Sequence, residues 1–195
     1  MKFFSIVLLA FLSLTFYGCA GTTAFNRTEN YANAWPAIRH STHSKIAIIV
    51  KDERPYVQDG SKNETFVGLM RGGYGNPFDI TTESKLPLAD DIANAVRAGF
   101  LNSGINAYLL GPFQEAKKSK DKSERLLVLK IREWKSDTYT NTKFSYIIQA
   151  EIFDEQGKLT GSSSVGETLP VSSAVESGRQ ALTTLLSAEP IKNGL

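Results

Sequence analysis

The chain contains a single cysteine, Cys19, so no internal disulfide can hold its fold together. This cysteine follows a short apolar run, residues 3–16, which is preceded by Lys2 and followed by the small residue Gly18. A positive start, a short apolar run and a small residue before the cleavage point are the layout of a secretory signal peptide. We therefore expect residues 1–18 to be a signal peptide.

With Gly18 and Cys19 at its end, this segment resembles the lipobox of bacterial lipoprotein precursors. The resemblance implies that Cys19 is acylated and becomes the first residue of the mature protein. In that group an Asp after the cysteine commonly retains the protein at the inner membrane, whereas this chain has Ala20. The resemblance therefore implies a lipid anchor in the bacterial outer membrane, on its periplasmic face.

Two alternatives to a lipid anchor remain open. An uncleaved transmembrane anchor requires roughly 20 apolar residues, and the run at residues 3–16 is shorter. A soluble secreted protein, cleaved after Gly18 or Ala20, is the second alternative.

Residues 19–44 are rich in Thr, Asn, Ala and Ser and show neither helical nor alternating periodicity. They predict a lipidated flexible tether with an end-to-end distance of about 25–30 Å. Tyr31 and Trp35 are the side chains in it that could dock onto the folded body. Residues 45–195 have the size of one domain.

The charges of the chain are nearly balanced, with 22 Lys and Arg against 20 Asp and Glu. Such a balance does not favour a nucleic-acid partner. The densest basic run, residues 117–122, contains no aromatic residue that could stack on a base. We interpret it as a solvated loop, with attraction to anionic lipid as the alternative.

The first half of the domain predicts strands followed by a helix. The continuous apolar run at residues 46–50 is typical of a central strand covered on both faces. A second strand is expected at residues 65–70. Residues 87–103 have helical spacing, with Asp90 and Asp91 in the first turn.

The second half predicts three strands and a second helix. Aliphatic residues alternate at positions 127–131 and again at 144–152, and a turn at residues 154–157 predicts a hairpin with a last strand. Ser173 and Glu176 have the spacing of a capping box at the start of a helix, and Pro190 is expected to end that helix. Together these patterns predict an α+β fold: a mixed, mostly antiparallel sheet with two main helices packed on one face.

Four segments resemble the YajG-like group of bacterial outer-membrane lipoproteins. They are IAIIVKDERP at residues 46–55, VGLMRGGYGNP at 67–77, AGFLNSGI at 98–105 and LLVLKIREW at 126–134. The resemblance implies a body of sheet and helices broadly like the amino-terminal domain of TolB. That family has no assigned catalytic residues, so the resemblance implies a fold and a location.

Three places in the sequence carry residues of types that bind metals, bind phosphates or catalyse acid–base reactions. His40 and His43 lack a further ligand for a metal, and the glycines at residues 72–75 lack the Gly-Lys-Ser/Thr that follows in a phosphate loop. Asp90 and Asp91 point about 100° apart on a helix, so they would not share a site. We therefore predict no catalytic, cofactor or metal site and expect the protein not to be an enzyme.

Exposed aromatic residues near an arginine are the remaining candidates for binding. We interpret the glycine loop at residues 71–77 as an ordinary wide turn, with a recognition surface built around Arg71, Tyr74 and Phe78 as the alternative. Trp134 and Tyr139 follow an amphipathic strand and are expected to be further exposed aromatics, with core packing as the alternative for both.

The function these features favour is a membrane-anchored, non-enzymatic binding or scaffold module of the cell envelope. Its partners would be the membrane, through Cys19, and a periplasmic protein or peptidoglycan. The first alternative is a carrier of a small or lipidic ligand in a groove between sheet and helices. An envelope hydrolase is the second alternative.

Overall fold

The computed structural model describes residues 27–42, 44–110 and 124–195. In chain order its elements are β1 (Thr28–Glu29), β2 (Lys45–Asp52), α1 (Pro55–Gln58), β3 (Phe66–Arg71), β4 (Pro77–Thr82), α2 (Leu88–Asn102), β5 (Ala107–Leu109), β6 (Glu124–Thr138), β7 (Thr142–Phe153), β8 (Leu159–Val171), α3 (Ala174–Leu186) and α4 (Glu189–Gly194).

The long strand β6 lies at the centre of the sheet and changes neighbours along its length. One of its edges pairs with β7 in antiparallel orientation, from Leu126 to Thr138. The other edge pairs in parallel with β2 up to Ile131 and then with β3 from Ser136 onward. Beyond these neighbours, β8 follows β7, β4 and β1 follow β3, and β5 follows β2.

The described strands confirm the predicted fold class. The two long ladders, β6 with β7 and β7 with β8, are antiparallel, whereas β2 pairs in parallel with both β5 and β6. The sheet is therefore mixed and mostly antiparallel. The strand β4 was not predicted, because its sequence, PFDITT, has only Phe78 and Ile80 as alternating apolar residues, which is too short a pattern to indicate a strand.

Both main helices pack on one face of the sheet, as predicted. Val96 of α2 and Leu185 of α3 belong to the same buried cluster as Ile48 of β2 and Leu129 of β6. Each such aliphatic side chain contributes about 1.5–3 kcal/mol when it is fully buried. This shared core fixes the two helices to the sheet.

The predicted central strand is buried on both faces. Ile46 and Ile48 of β2 face the helices, whereas Ala47 and Ile49 join Val128 in a second, smaller cluster. Residues alternate between the faces of a strand, so the second cluster lies on the face of the sheet away from the helices.

The residues that typically start and end helices lie at the ends of the helices, with one exception. Gly104 has φ +77° after α2, and the Ser173 hydroxyl accepts a hydrogen bond from the Glu176 N–H at the start of α3. Pro190 was expected to end the helix. Instead α3 ends at Leu186, and Pro190 lies in the first turn of α4, where its missing N–H costs nothing.

Residues 27–42 pack onto the domain, so the flexible tether predicted over residues 19–44 is wrong for this described part. β1 pairs with β4, and Tyr31 is buried in the main core. The segment lies directly on α2, because a Cβ added to Gly99 would stand 2.7 Å from a backbone oxygen of this segment.

Residues 27–42 show no sequence periodicity because they are mostly coil, in which isolated side chains, and not every second or fourth one, are buried. The Ala37 N–H donates to Oγ1 of Thr183 at 3.0 Å, which ties the coil to α3. Trp35, unlike Tyr31, stays half exposed, and its Nε1 donates to the Ala32 carbonyl at 3.2 Å.

Candidate binding surface at the hairpin end of the sheet

Two turns of the chain meet at one end of the sheet. β3 and β6 run in parallel and finish side by side, with Met70 opposite Thr138. Each then turns back, β3 into β4 and β6 into β7. We call the region formed by residues 71–78 and 137–143 the hairpin end.

An ion pair joins the two turns. The Arg71 guanidinium donates to the Asp137 carboxylate from Nε at 2.8 Å and from Nη2 at 2.6 Å. These hydrogen bonds and the charge of Arg71 hold the pKa of Asp137 below its usual range. Both side chains are about one third exposed, so the pair orients the hairpins more than it stabilises the fold.

Three exposed aromatic side chains lie at the same end of the sheet as this ion pair. Tyr74 is 99% exposed, Tyr139 is 57% exposed and Phe78 is 39% exposed. In a folded domain, exposed aromatic rings gathered at one place are typical of an interaction site. Arg71, Tyr74, Phe78 and Tyr139 thus all lie at the hairpin end, and a recognition surface built from them stays a prediction.

A tight turn holds Tyr74 away from the body. The Gly72 N–H donates to the Asn76 carbonyl at 2.9 Å, and the Gly75 N–H donates to the Gly72 carbonyl at 2.7 Å. Gly75 has φ +80°, a conformation that residues with a Cβ rarely adopt. Phe78 packs its ring close to Gly72. Gly75 is therefore needed for the turn that presents Tyr74.

Trp134 is fully buried, so the prediction that it is an exposed binding residue is wrong. Its ring makes edge-to-face contacts with Tyr31 and Phe144, with both centroid distances at 5.3 Å. The bulge in β6 between Ile131 and Glu133 changes the alternation of the strand at this point. This irregularity was not visible in the sequence.

Arg54 lies in the segment IAIIVKDERP, residues 46–55, and is also fully buried. It forms an ion pair with Asp52 and donates to backbone carbonyls. Its side chain is shielded from solvent, so its position is that of a structural residue.

A shallow groove of about 440 Å³ lies elsewhere on the sheet. It is lined by Ser145 and Ile147 of β7 and Ser164 of β8, among others. Ser145 and Ile147 flank Tyr146 and alternate with the buried Phe144, which places the groove on the face away from the helices. Between sheet and helices, where a carrier would need its groove, the described side chains form the main core.

The histidine and aspartate side chains that the sequence offered as candidates do not form a cluster among the described residues. His40 packs edge-on against the Phe100 ring, and burial together with Lys192 lowers the pKa of its imidazole. His43 lies outside the described residues. Within residues 27–42, 44–110 and 124–195, no three His, Cys, Asp or Glu side chains are placed to hold a metal ion.

The two neighbouring carboxylates of α2 have different surroundings. Asp90 is exposed in the first turn, where it complements the helix dipole as predicted. Asp91 is buried, and burial raises the pKa of its carboxyl, with Ser84 opposing and Asp90 adding to the rise. Asp91 therefore faces the protein interior and not a cleft.

The predicted signal peptide, Cys19 and the basic run at 117–122 lie outside the described residues. None of the helices that the structure does describe combines the length and the apolar character needed to cross a bilayer.

Comparison with known proteins gives structural likeness only. No known family and no curated protein matches the sequence. Solved structures with a similar arrangement include XCC0632 of Xanthomonas campestris, from the DUF330 family, with 14% identity, a TM-score of 0.48 and coverage of 82% of this chain and 86% of that one.

Two further structures show the same kind of likeness. The PelC dodecamer of Paraburkholderia phytofirmans has 14% identity, a TM-score of 0.47 and coverage of 78% of this chain and 91% of that one. Lipoprotein GNA1162 of Neisseria meningitidis has 12% identity, a TM-score of 0.30 and coverage of 72% and 93%. With TM-scores below 0.5, these likenesses carry no argument about function, and the YajG-like resemblance stays a prediction.

Proposed function

We propose that this chain is a lipid-anchored, non-enzymatic binding module of the bacterial cell envelope, and that the hairpin end is its binding surface. The observation that carries the proposal is the exposure of Tyr74, Phe78 and Tyr139 at the end of the sheet where the Arg71–Asp137 ion pair links two strands. Rings with a polar tip bury apolar area and form hydrogen bonds in the same contact, which is the chemistry of recognition.

The anchor in this proposal is Cys19. Lipid chains contribute about 0.8 kcal/mol per buried methylene, and more than one chain makes attachment stable. The sequence pattern of residues 1–19 supports acylation, and Ala20 supports the outer membrane, periplasmic face. Attachment keeps the binding surface close to the envelope component it recognises.

Rigidity of the surface supports a binding role. The Arg71–Asp137 pair joins the β3–β4 turn to the β6–β7 turn, and the hydrogen bonds of the glycine turn fix the backbone beneath Tyr74. A surface fixed before contact loses less conformational entropy on binding. The candidate partners are a periplasmic protein, peptidoglycan or the membrane surface.

Photo-crosslinking in living cells tests this proposal. A benzoylphenylalanine residue replaces Tyr74 in one variant and Gln156 in a matched control. Gln156 is exposed in the turn between β7 and β8, at the opposite end of the sheet. We expect a discrete adduct with an envelope component from position 74 and none from position 156. Equal or absent adducts at both positions would remove the hairpin end as the binding surface.

A further inference from the structure

We infer that the hairpin end rests on the lipid headgroup layer of the same membrane that holds Cys19. This inference names the partner of the proposed binding surface, and it rests on the proposed lipid anchor. Three observations carry it: the direction in which β1 enters the sheet, the reach of the chain before β1, and the chemistry of the two ends of the sheet.

The direction of β1 places the incoming chain on the side of the hairpin end. β1 pairs in parallel with β4, with Thr28 opposite Thr81. β4 begins at Pro77, directly after the glycine turn, and runs away from it. A chain that enters β1 along the same direction therefore arrives from the side on which Pro77 and Tyr74 lie.

The reach of the chain keeps that end near the membrane. Thr28 follows Cys19 by nine residues, which span at most about 30 Å when fully extended. From Thr81 back to Pro77 is four residues of β4, or about 13 Å. The residues before Thr28 are thus long enough for Cys19 to pass the hairpin end, yet too short to let the domain stand far from the bilayer.

The two ends of the sheet differ in chemistry. The hairpin end offers Tyr74, Tyr139 and Phe78, and aromatic residues of this kind are enriched at the headgroup level of membranes. Lys143 is exposed beside them and adds a cation for lipid phosphates. At the other end, residues 154–158 of the β7–β8 turn contain no aromatic residue, and their charged residues are Asp154, Glu155 and Lys158. Two carboxylates with one cation suit anionic headgroups less well than the two cations and one carboxylate of the hairpin end, Arg71, Lys143 and Asp137.

The length of β7 separates these two ends. β7 runs from Thr142, at the hairpin end, to Phe153, before the β7–β8 turn, a distance of about 35 Å. If the hairpin end touches the headgroups, the opposite end lies well clear of them. This separation allows one measurement to distinguish the two orientations.

Site-specific fluorescence quenching in vesicles tests the orientation. Acylation consumes the thiol of Cys19, so Tyr74→Cys, Tyr139→Cys and Gln156→Cys each introduce one free thiol into the full, lipidated protein. Each thiol is labelled with bimane, and the protein is reconstituted into vesicles of phosphatidylethanolamine and phosphatidylglycerol. Some vesicles also contain a lipid with a spin-labelled headgroup as the quencher. Circular dichroism checks that each variant is folded.

We expect the quencher lipid to cause a loss of bimane fluorescence at positions 74 and 139 and none at position 156. Equal fluorescence at all three positions, in protein that floats with the vesicles, would overturn the inference and leave the anchored module standing. Failure of the acylated protein to float would remove the anchor, and with it both proposals. A protein or peptidoglycan adduct from position 74 in cells would support the binding surface and contradict the membrane as its partner.

Discussion

The guanidinium of Arg54 forms a two-point ion pair with the carboxylate of Asp52, with distances of 2.8 Å from Nε and 2.6 Å from Nη2. The pair lies where β6 stops pairing with β2, at Ile131, and has not yet begun to pair with β3, at Ser136. Backbone carbonyls in such a gap lack ladder partners. Arg54 supplies them with donors.

The carbonyls that Arg54 reaches come from both sides of the gap. Its Nη1 donates to Phe66 at 2.5 Å and to Trp134 at 3.4 Å, and its Nη2 donates to Glu64 at 3.2 Å. A buried charge is tolerated when it is paired and its remaining donors are satisfied. Arg54 meets both conditions and so links β2, β3 and β6 at their branch point.

Replacing Arg54 by alanine should strongly destabilise the domain. Asp52 would lose its partner, and the Phe66 and Glu64 carbonyls would lose the hydrogen bonds that Arg54 donates, with an expected cost of about 3–5 kcal/mol. Urea unfolding followed by circular dichroism measures this change in the free energy of unfolding.

The matched control for this prediction is Arg132→Ala. Arg132 pairs with Glu53 at 3.5 Å, and both side chains are largely exposed. Such surface pairs contribute up to about 1 kcal/mol. An Arg54→Ala variant as stable as Arg132→Ala would show that the branch point does not depend on the buried pair.

Gly178→Ala should destabilise the protein, although Gly178 lies inside the helix α3. An alanine in a helix interior is normally more stable than glycine by about 1 kcal/mol. Here the new Cβ would stand 2.4 Å from the Trp134 ring and 3.3 Å from the Tyr31 ring. Overpacking of this kind typically costs about 1–3 kcal/mol, so the sign of the change is reversed.

Thermal unfolding of Gly178→Ala beside Gly73→Ala checks this expectation. A Cβ at Gly73 would meet no atom within 4 Å, so that variant should unfold at the temperature of the unmodified protein. An increase in the melting temperature of Gly178→Ala would contradict the packing of Trp134 against α3.

The buried carboxyl of Asp91 should make stability depend on pH. Burial raises its pKa in the folded state above the unfolded value of about 3.9. The folded protein then binds the proton more tightly than the unfolded chain does. The contribution of Asp91 to stability is therefore largest at low pH and is lost as pH rises through the folded pKa.

Asp91→Asn isolates this contribution, because the amide does not titrate. The free energy of unfolding of the unmodified protein, minus that of Asp91→Asn, should be larger at pH 4 than at pH 7. Urea titrations at the two pH values measure the difference. A difference that becomes smaller at pH 4 would mean that the helix dipole and Ser84 outweigh burial.

Sequence patterns predicted those parts of the fold that depend on local periodicity. The run at residues 46–50 indicated a strand buried on both faces, and Ser173 with Glu176 indicated the start of α3. At the hairpin end, the glycines and aromatics of the loop indicated that Tyr74 would be exposed. In each case the physical cause lies within a few neighbouring residues.

The features that sequence patterns missed depend on distant contacts. Trp134 is buried because a bulge and the rings of Tyr31 and Phe144 enclose it. The packing of residues 27–42 depends on Gly99 of α2, far along the chain. Neither contact leaves a periodic signal, so only the folded structure shows them.

The fate of Cys19 in cells decides whether this chain is a lipid-anchored module. Cells grown with labelled palmitate and fractionated into outer membrane, inner membrane and soluble fractions would show where the label and the protein lie. We predict labelled, processed protein in the outer membrane, and an unlabelled Cys19→Ser variant that is released or remains an uncleaved precursor. Unchanged processing and unchanged membrane association of Cys19→Ser would contradict the lipid-anchored module.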